Sequence, residues 1–147
     1  MGAAFDAATI MSEANELLLE TSIQGEREAA TLKQSSEELA RAAITDALTG
    51  AFNRKHFDAQ LSRCFDEAKS GGGAIAVLFI DGDRFKTVND THGHAAGDAV
   101  LKELVVRFRA AVPKEGVVCR YGGEEFAVIL LGLDTEAAAR VAGAVLR

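Results

Sequence analysis

An unbroken apolar run, followed at once by two carboxylates, constrains the fold of this chain more than any other feature. Residues 74–80 read AIAVLFI, and Asp81-Gly82-Asp83 comes directly after them. A continuous apolar run of this length is typical of a strand covered on both faces, as in sheets that carry helices on each side. We therefore predict a central strand at 74–80 in an α/β fold, with Asp81 and Asp83 at its solvent end.

The segments around this strand predict a mixed order of helices and strands. Apolar residues at helical spacing indicate the helices, short apolar runs indicate the strands, and Gly71–Gly73 ends the helix predicted over 54–69. From residue 74 the order is β-α-β-β-α, which is the βαββαβ ferredoxin-like arrangement of an α+β fold without its final strand. The predicted elements are helices over 54–69 and 98–112, strands over 117–121 and 126–131, and a helix that begins near Asp134 or Thr135.

Residues 8–44 contain no proline and one glycine and are rich in helix formers, so they predict one long helix. One row of a heptad pattern is mainly apolar and its companion row is small or polar, so the seam of a coiled coil is weak. Two readings stay open: an amphipathic helix that packs on its own domain, and a parallel dimeric stalk that transmits a signal. The first row is Met11, Leu18, Gly25, Leu32 and Leu39, and the second is Asn15, Ser22, Ala29, Ser36 and Ala43.

Charge and composition exclude several classes of protein. The net charge is −6, of which residues 1–45 contribute −5 and residues 46–147 contribute −1. Neither part carries a basic stripe, which argues against a nucleic-acid partner. No apolar run approaches the roughly 18 residues of a membrane span, and the N-terminus lacks the pattern of a signal peptide. We therefore expect a cytoplasmic chain with no direct membrane span.

Two pairs of acidic residues are the strongest candidates for chemistry. Asp81 and Asp83 follow the first strand, whereas Glu124 and Glu125 lie on the hairpin between the other two. The first and third strands of a ferredoxin-like sheet are neighbours, so the pairs can converge. A divalent cation would relieve their repulsion, and Mg²⁺ prefers one or two carboxylates together with phosphate oxygens. The alternative is that all four are solvated loop carboxylates.

The hairpin turn beside Glu124 is Gly122-Gly123. Without side chains, its backbone amides could approach a phosphate closely, although an ordinary glycine hairpin has the same sequence. The chain has no Walker A loop and no Ser-His-Asp or Cys-His arrangement. These absences argue against P-loop nucleotide binding and against nucleophilic hydrolysis.

Three motifs, in order and spacing, resemble the GGDEF family of bacterial diguanylate cyclases. Residues 46–49 (DALT) with 53–54 (NR) resemble the DxLTxxxNR turn that opens the family's domain. Residues 79–86 (FIDGDRFK) and the pairs within 89–98 resemble the stretch FxDxDxFKxxND…GH…GD. Residues 120–126 (RYGGEEF) resemble the family signature in its GGEEF form. The resemblance implies a cyclase-palm version of the ferredoxin-like fold.

The same resemblance implies that the chain is divided into a stalk and a domain. Residues 1–44 correspond to a helical stalk, with a dimeric coiled coil as one reading. Residues 45–147 correspond to the GGDEF domain. The helix resembles the signalling helix that often joins such domains to a sensor, so an upstream sensor domain or protein is an implied partner.

The resemblance also implies roles for the acidic residues. Asp81 corresponds to a metal ligand, with the carbonyl of Gly82 beside it. Glu124 corresponds to the second metal carboxylate and to the group that helps deprotonate an attacking 3′-hydroxyl. Glu125 corresponds to a further ligand or orienting group, and the implied cofactor is Mg²⁺ or Mn²⁺.

The remaining motif residues correspond to a binding site for GTP. Backbone amides just after Asp83 would hold phosphates. The side-chain amide of Asn89 and the carboxylate of Asp98 would bind the edge of the guanine base. Asp98 would accept hydrogen bonds from guanine N1–H and N2–H₂, which adenine lacks, so it favours GTP over ATP. The implied substrate-binding residues are Arg84, Phe85, Lys86, Asn89, Asp98, Gly122 and Gly123.

The implied reaction condenses two GTP molecules to cyclic di-GMP and two pyrophosphates. Each domain would hold one GTP, and each 3′-hydroxyl would attack the α-phosphorus of the other nucleotide across a two-fold axis. Because one domain holds half of the reacting atoms, homodimerisation through the N-terminal helix would control the rate by positioning.

The chain departs from the family pattern in two places. Many members carry an RxxD product-inhibition motif, but Pro113 and Gly116 stand at its positions and cannot make charged bidentate contacts. We therefore expect no product-inhibition site.

The family continues past the last helix with a strand, a helix and a Lys/Arg pair, so we expect a domain that is incomplete at its C-terminal end, with an exposed apolar edge. The alternative function is a catalytically silent GGDEF-type module that binds GTP or dimerises.

Overall fold

The structure is a computed structural model that describes residues 6–71 and 73–146. It divides into two compact units, one that ends at Arg41 and one that begins at Ala42. The first five residues of the expected stalk lie outside the described residues, as does Gly72 in the glycine run that was predicted to end a helix. None of the helices in the described part is long and apolar enough to cross a bilayer.

The first helix, α1, runs from Ala7 to Ile44 and confirms the long helix predicted over 8–44. Side-chain pairs four residues apart, such as Lys33 with Glu37, support it in the manner of a solvated helix. None of its residues is buried. The predicted heptad row is exposed, with Met11 at 69%, Leu18 at 68%, Leu32 at 72% and Leu39 at 70%.

Four strands in the second unit form one sheet: β1 (Phe52–Asn53), β2 (Ile75–Asp81), β3 (Val117–Arg120) and β4 (Glu125–Leu131). Their order across the sheet is β1-β3-β4-β2. β4 pairs antiparallel with both neighbours, whereas β1 is parallel to β3. The predicted ferredoxin-like α/β class and the neighbouring positions of the first and third predicted strands are confirmed.

Four further helices accompany the sheet: α2 (Arg54–Lys69), α3 (Phe85–His92), α4 (His94–Ala111) and α5 (Thr135–Val145). One apolar core lies between the sheet and α4 and α5, and a second lies between the sheet and α2. β4 serves both: Phe126, Val128 and Leu130 face the first core, and Ala127 and Ile129 face the second. Because strand side chains alternate between faces, a strand covered on both faces is continuously apolar, as β4 is from Phe126 to Leu131.

The predicted central position of the strand at 74–80 is wrong within the described chain. β2 lies at one edge of the sheet, where it pairs with β4 alone, and Phe79 is 66% exposed. An apolar run indicates contact on both faces of a sheet but says nothing about neighbours on both sides. The fully covered strand is β4, and the exposed apolar edge that we expected is the outer side of β2.

The sequence did not predict β1 or α3. β1 has two residues, too few for a periodic signal. α3 occupies a stretch to which no element was assigned, and α4 begins at His94 rather than at about Asp98. Gly93 lies between the two helices with a φ of 83°, a left-handed conformation that glycine adopts without strain. A single glycine thus divides one helical segment into two.

Two adjacent valines in α4 test the packing of the first core. Val105 is 1% exposed and Val106 is 62% exposed. Val105→Ala removes buried methyl groups and should lower the free energy of unfolding by about 2 kcal/mol. Val106→Ala is the matched control and should change it by less than about 0.5 kcal/mol. Urea titrations would measure both, and equal effects would contradict the described orientation of α4.

Candidate active site

The pairing of β2 with β4 brings the two acidic pairs to one end of the sheet. Asp81 is the register partner of Glu125, and the amide of Gly82 donates to the carbonyl of Glu124 at 3.1 Å. A Cβ at position 82 would lie only 3.2 Å from the Cβ of Glu124. Asp83 belongs to the same turn, because its amide donates to the carbonyl of Asp81 at 3.1 Å. Glycine at 82 therefore allows the two chain segments to approach this closely.

The glycine turn is closed by bonds to the backbone of Glu125. The amides of Tyr121 and Gly122 donate to the carbonyl of Glu125 at 2.8 and 3.1 Å. A Cβ at Gly122 would collide with the carboxylate of Glu125, whereas a Cβ at Gly123 would meet nothing. A side chain at position 122 would therefore displace the exposed carboxylate of Glu125, whereas the space beside Gly123 is open.

Arg120 ties this turn to the segment that follows α1. Its Nε and Nη2 donate to the carbonyl of Gly123 at 3.0 and 2.8 Å, and its Nη1 donates to Oδ1 of Asp46 at 3.1 Å. The side chains of Arg120 and Asp46 are 16% and 25% exposed, so solvent screens this pair less than a surface pair. The contact was not predicted, because the partners are 74 positions apart and no local spacing signals it.

Asp46 is held as a carboxylate by the bonds that it accepts. The amide and hydroxyl of Thr49 donate to its Oδ1 at 2.9 and 2.7 Å. Partial burial alone would raise the pKa of Asp46. The hydrogen bonds from Thr49 and Arg120, with the positive charge of Arg120, outweigh burial and hold this pKa below its usual value of 3.8.

The chain turns sharply from β2 into α3. Arg84 has a left-handed backbone with φ 59°, and the amide of Phe85 donates to the carbonyl of Gly82 at 3.0 Å. α3 therefore begins directly after the acidic turn, and the N-terminus of a helix favours anionic groups such as phosphate. The side chains of Arg84 and Lys86 are exposed, whereas Phe85 packs against the first core.

The two predicted base-reading residues lie on α3 and α4. Asn89 is half-buried and Asp98 is exposed. The helices meet at Gly93, whose amide donates to the carbonyl of Asn89 at 2.8 Å. Gly97, which precedes Asp98, is so close to Asn89 that a Cβ there would collide with Oδ1 of Asn89. The fold therefore brings Asn89 next to the turn that carries Asp98.

A cavity of about 320 Å³ borders the acidic turn. Asp81–Asp83 form one side of it, and most of the remaining wall consists of apolar side chains. Its volume lies at the lower end of the range for small-molecule pockets. The apolar wall includes Ile80, Phe85, Val88, Val100, Leu104 and Phe108.

The oxygen donors at this site fit a hard divalent cation that is shared with a phosphate ligand. Among residues 6–71 and 73–146, no group of three or more His, Cys, Asp or Glu side chains forms a metal site. A cation here would find the carboxylates of Asp81 and Glu124 and the backbone carbonyl of Gly82, whose amide bonds to Glu124. Mg²⁺ commonly binds through one or two carboxylates and completes its shell with water and phosphate oxygens.

Carboxylates and a glycine turn lie at one end of a four-stranded, palm-like sheet. Residues 43–147 match the family described as "Diguanylate cyclase, GGDEF domain". The chain belongs to this family, and the resemblance inferred from its motifs is confirmed.

Several characterised proteins are similar to this chain. It is 44% identical over 108 residues to the diguanylate cyclase TpbB of Pseudomonas aeruginosa. This match covers 74% of this chain and 25% of that protein. It is 40% identical over 124 residues to the response regulator PleD of Caulobacter vibrioides, covering 84% of this chain and 27% of that protein. The chain thus spans about a quarter of the length of these relatives.

A solved structure resembles most of the described fold. The coiled coil and GGDEF domain of DgcB from Caulobacter crescentus, in complex with c-di-GMP, has a TM-score of 0.78 at 33% identity. The match covers 87% of this chain and 67% of that chain.

The Asp46 carboxylate should make the stability of the fold depend on pH in the acid range. Because folding lowers the pKa of Asp46, its stabilising contribution is present above about pH 4 and is lost as the pH falls through the folded-state pKa. Asp46→Asn should therefore lower the free energy of unfolding by about 1–2 kcal/mol near neutral pH. This deficit should shrink at about pH 3.

Urea unfolding at the two pH values would measure this difference. Asp66→Asn, at an exposed position of α2, is the matched control and should show little deficit at either pH. A deficit for Asp46→Asn that stays constant across the range would contradict the role of the ionised carboxylate.

Proposed function

We propose that the second unit is the catalytic domain of a diguanylate cyclase that condenses two GTP to cyclic di-GMP and two pyrophosphates. The supporting observation is the pairing of β2 with β4, which sets Asp81 opposite Glu125 and Gly82 against Glu124 at the start of α3. Groups that can hold a cation, accept a proton and bind phosphate thus occupy one end of the sheet. Membership of the GGDEF family supports the same proposal.

The proposed cofactor is Mg²⁺ or Mn²⁺, held by the carboxylates of Asp81 and Glu124 and by the carbonyl of Gly82. When bound, such an ion neutralises phosphate charge and lowers the pKa of a coordinated hydroxyl. Glu125 faces Asp81 across the strands and would orient these groups. The amides at Arg84, Phe85 and Lys86, together with Gly122-Gly123, would hold the phosphates.

In the proposed step, Glu124 accepts the proton of the 3′-hydroxyl as the 3′-oxygen bonds to the α-phosphorus of the GTP held by the facing domain. The bond between that phosphorus and the oxygen of pyrophosphate breaks, and the proton passes from Glu124 to solvent. The same step on the second GTP closes the ring. Asn89 and Asp98 would hold guanine, with Asp98 accepting the N1–H and N2–H₂ donors.

A homodimer would complete this site, because each domain holds one of the two nucleotides. The exposed heptad row of α1 supports dimerisation through that helix, and the DgcB structure is described as a coiled coil with a GGDEF domain. An upstream sensor would then act by changing how the two domains face each other. Since GTP is the substrate, we place the proposed activity in the cytoplasm.

A second candidate function is a catalytically silent module that binds GTP or dimerises. The outer edge of β2, which ends at Asp81, has no strand partner within the described residues. An edge strand leaves the N–H and C=O groups of its outer side unpaired, and this open edge beside Asp81 is the observation that supports the silent module. The two candidates differ in a single measurable outcome, the formation of cyclic di-GMP.

The decisive measurement is product formation from GTP and Mg²⁺, followed by chromatography. We expect wild type to form cyclic di-GMP and Glu124→Gln to lose at least about 100-fold in rate, because the amide neither accepts the proton nor supplies a charged ligand. Glu67→Gln, at an exposed position of α2, is the matched control and should retain activity.

The possible outcomes separate the two candidates. Binding of GTP without product in wild type would support the silent module. Equal activity in wild type and Glu124→Gln would contradict the proposed role of Glu124.

The segment before β3 should not act as a product-inhibition site. The amide of Gly116 donates to the carbonyl of Pro113 at 2.8 Å, and a Cβ at Gly116 would collide with Val112. Neither position offers a charged side chain for a cyclic dinucleotide. We expect added cyclic di-GMP to leave the initial rate unchanged. Micromolar binding that is lost in a Lys114→Ala/Glu115→Ala variant would overturn this prediction.

A further inference from the structure

Gly97 of α4 lies against the side-chain amide of Asn89. It is buried, and a Cβ there would collide with Oδ1 of Asn89 and lie 3.0 Å from both its Cγ and the ring of Phe85. Even the smallest side chain at 97 would therefore displace one of these two groups. Glycine within a helix is less favourable than alanine, so its presence here is explained by this close packing.

We propose that Gly97 is a positioning residue for nucleotide recognition, because its missing side chain lets Asn89 keep the orientation in which it meets the base. This inference rests on the proposed function, in which Asn89 contacts guanine. Gly97 itself touches no substrate in this proposal. Its effect passes entirely through the side chain of Asn89.

The hydrogen bonding of the Asn89 side-chain amide supports this role. Its Oδ1 is buried and has no hydrogen-bond partner among the described residues. A buried acceptor without a partner destabilises a fold, so an amide that packed only for stability would be expected to find one. Because Oδ1 lies against Gly97, the proposal assigns contact with the ligand to the Nδ2 group at the other end of the planar amide. That group is a donor, which suits the N3 acceptor of a purine.

A substitution at position 97 could instead act by displacing the ring of Phe85. Its ring packs into the first core and borders the cavity beside the acidic turn. The Cβ position at Gly97 is closer to Oδ1 of Asn89 than to this ring. The two routes predict different behaviour when Asn89 is absent, and that difference is the basis of the test.

A double-mutant cycle on the full 147-residue chain tests the inference. The four proteins are wild type, Gly97→Ala, Asn89→Ala and the double variant, and the probe is α,β-methylene GTP with Mg²⁺ in a calorimeter. Gly97→Ala should weaken binding about 3- to 10-fold in wild type, as expected for loss of a hydrogen bond. In the Asn89→Ala background it should have no further effect.

Gly143→Ala is the matched control, because a Cβ at this helical glycine meets nothing within 4 Å. It should leave binding unchanged. Equal weakening by Gly97→Ala with and without Asn89 would overturn the inference and point to Phe85. No weakening by Gly97→Ala in wild type would also overturn it.

Thermal melting of the same four proteins separates this inference from the proposed function. Gly97→Ala should lower the melting temperature in wild type but not in the Asn89→Ala background, with or without nucleotide. If wild type fails to bind the analogue, the proposed function is wrong. The melting temperatures would still show whether Gly97 acts through its contact with Asn89. A decrease in melting temperature that is equal in both backgrounds would show that Gly97 does not act through Asn89.

Discussion

The antiparallel pairing of β2 with β4 is the interaction on which the rest of the structure depends. Seven residue pairs join the strands, from Ile75 opposite Leu131 to Asp81 opposite Glu125. A slip of one residue would turn every side chain of one strand to the other face, and burial of β4 on both faces opposes such a slip. The hydrophobic register therefore determines which carboxylates meet at the end of the sheet.

A polar network anchors the other side of the same end. Arg120 joins the carbonyl of Gly123 to the carboxylate of Asp46, so the hairpin turn and the opening segment share one guanidinium. Asn53 extends this arrangement, since its Oδ1 accepts from the amide of His56 at the start of α2 and its Nδ2 donates to the carbonyl of Ala43. The end of α1, the start of α2 and the glycine turn are thus connected through polar side chains.

The part of the site that could be predicted consists mainly of residues whose positions follow from the order of the strands in the sheet. In a βαββαβ sheet the first and third strands are neighbours, so the proximity of Asp81 and Glu125 could be predicted. The bond from Arg120 to Asp46 and the packing of Gly97 on Asn89 could not. Both are contacts between side chains on different elements, and neither leaves a periodic signal in the sequence.

The sequence alone determined the long N-terminal helix, the α/β class, the family and the acidic candidates, because these depend on local periodicity and on motifs of fixed spacing. Only the tertiary structure decided that β4 rather than β2 is the covered central strand, and that α3 exists as a separate helix that ends before Gly93. It also decided which groups hold the glycine turn and the Asn89 amide. The physical reason is that lateral strand order and side-chain contacts depend on distant segments, whereas periodicity reports only the faces of one element.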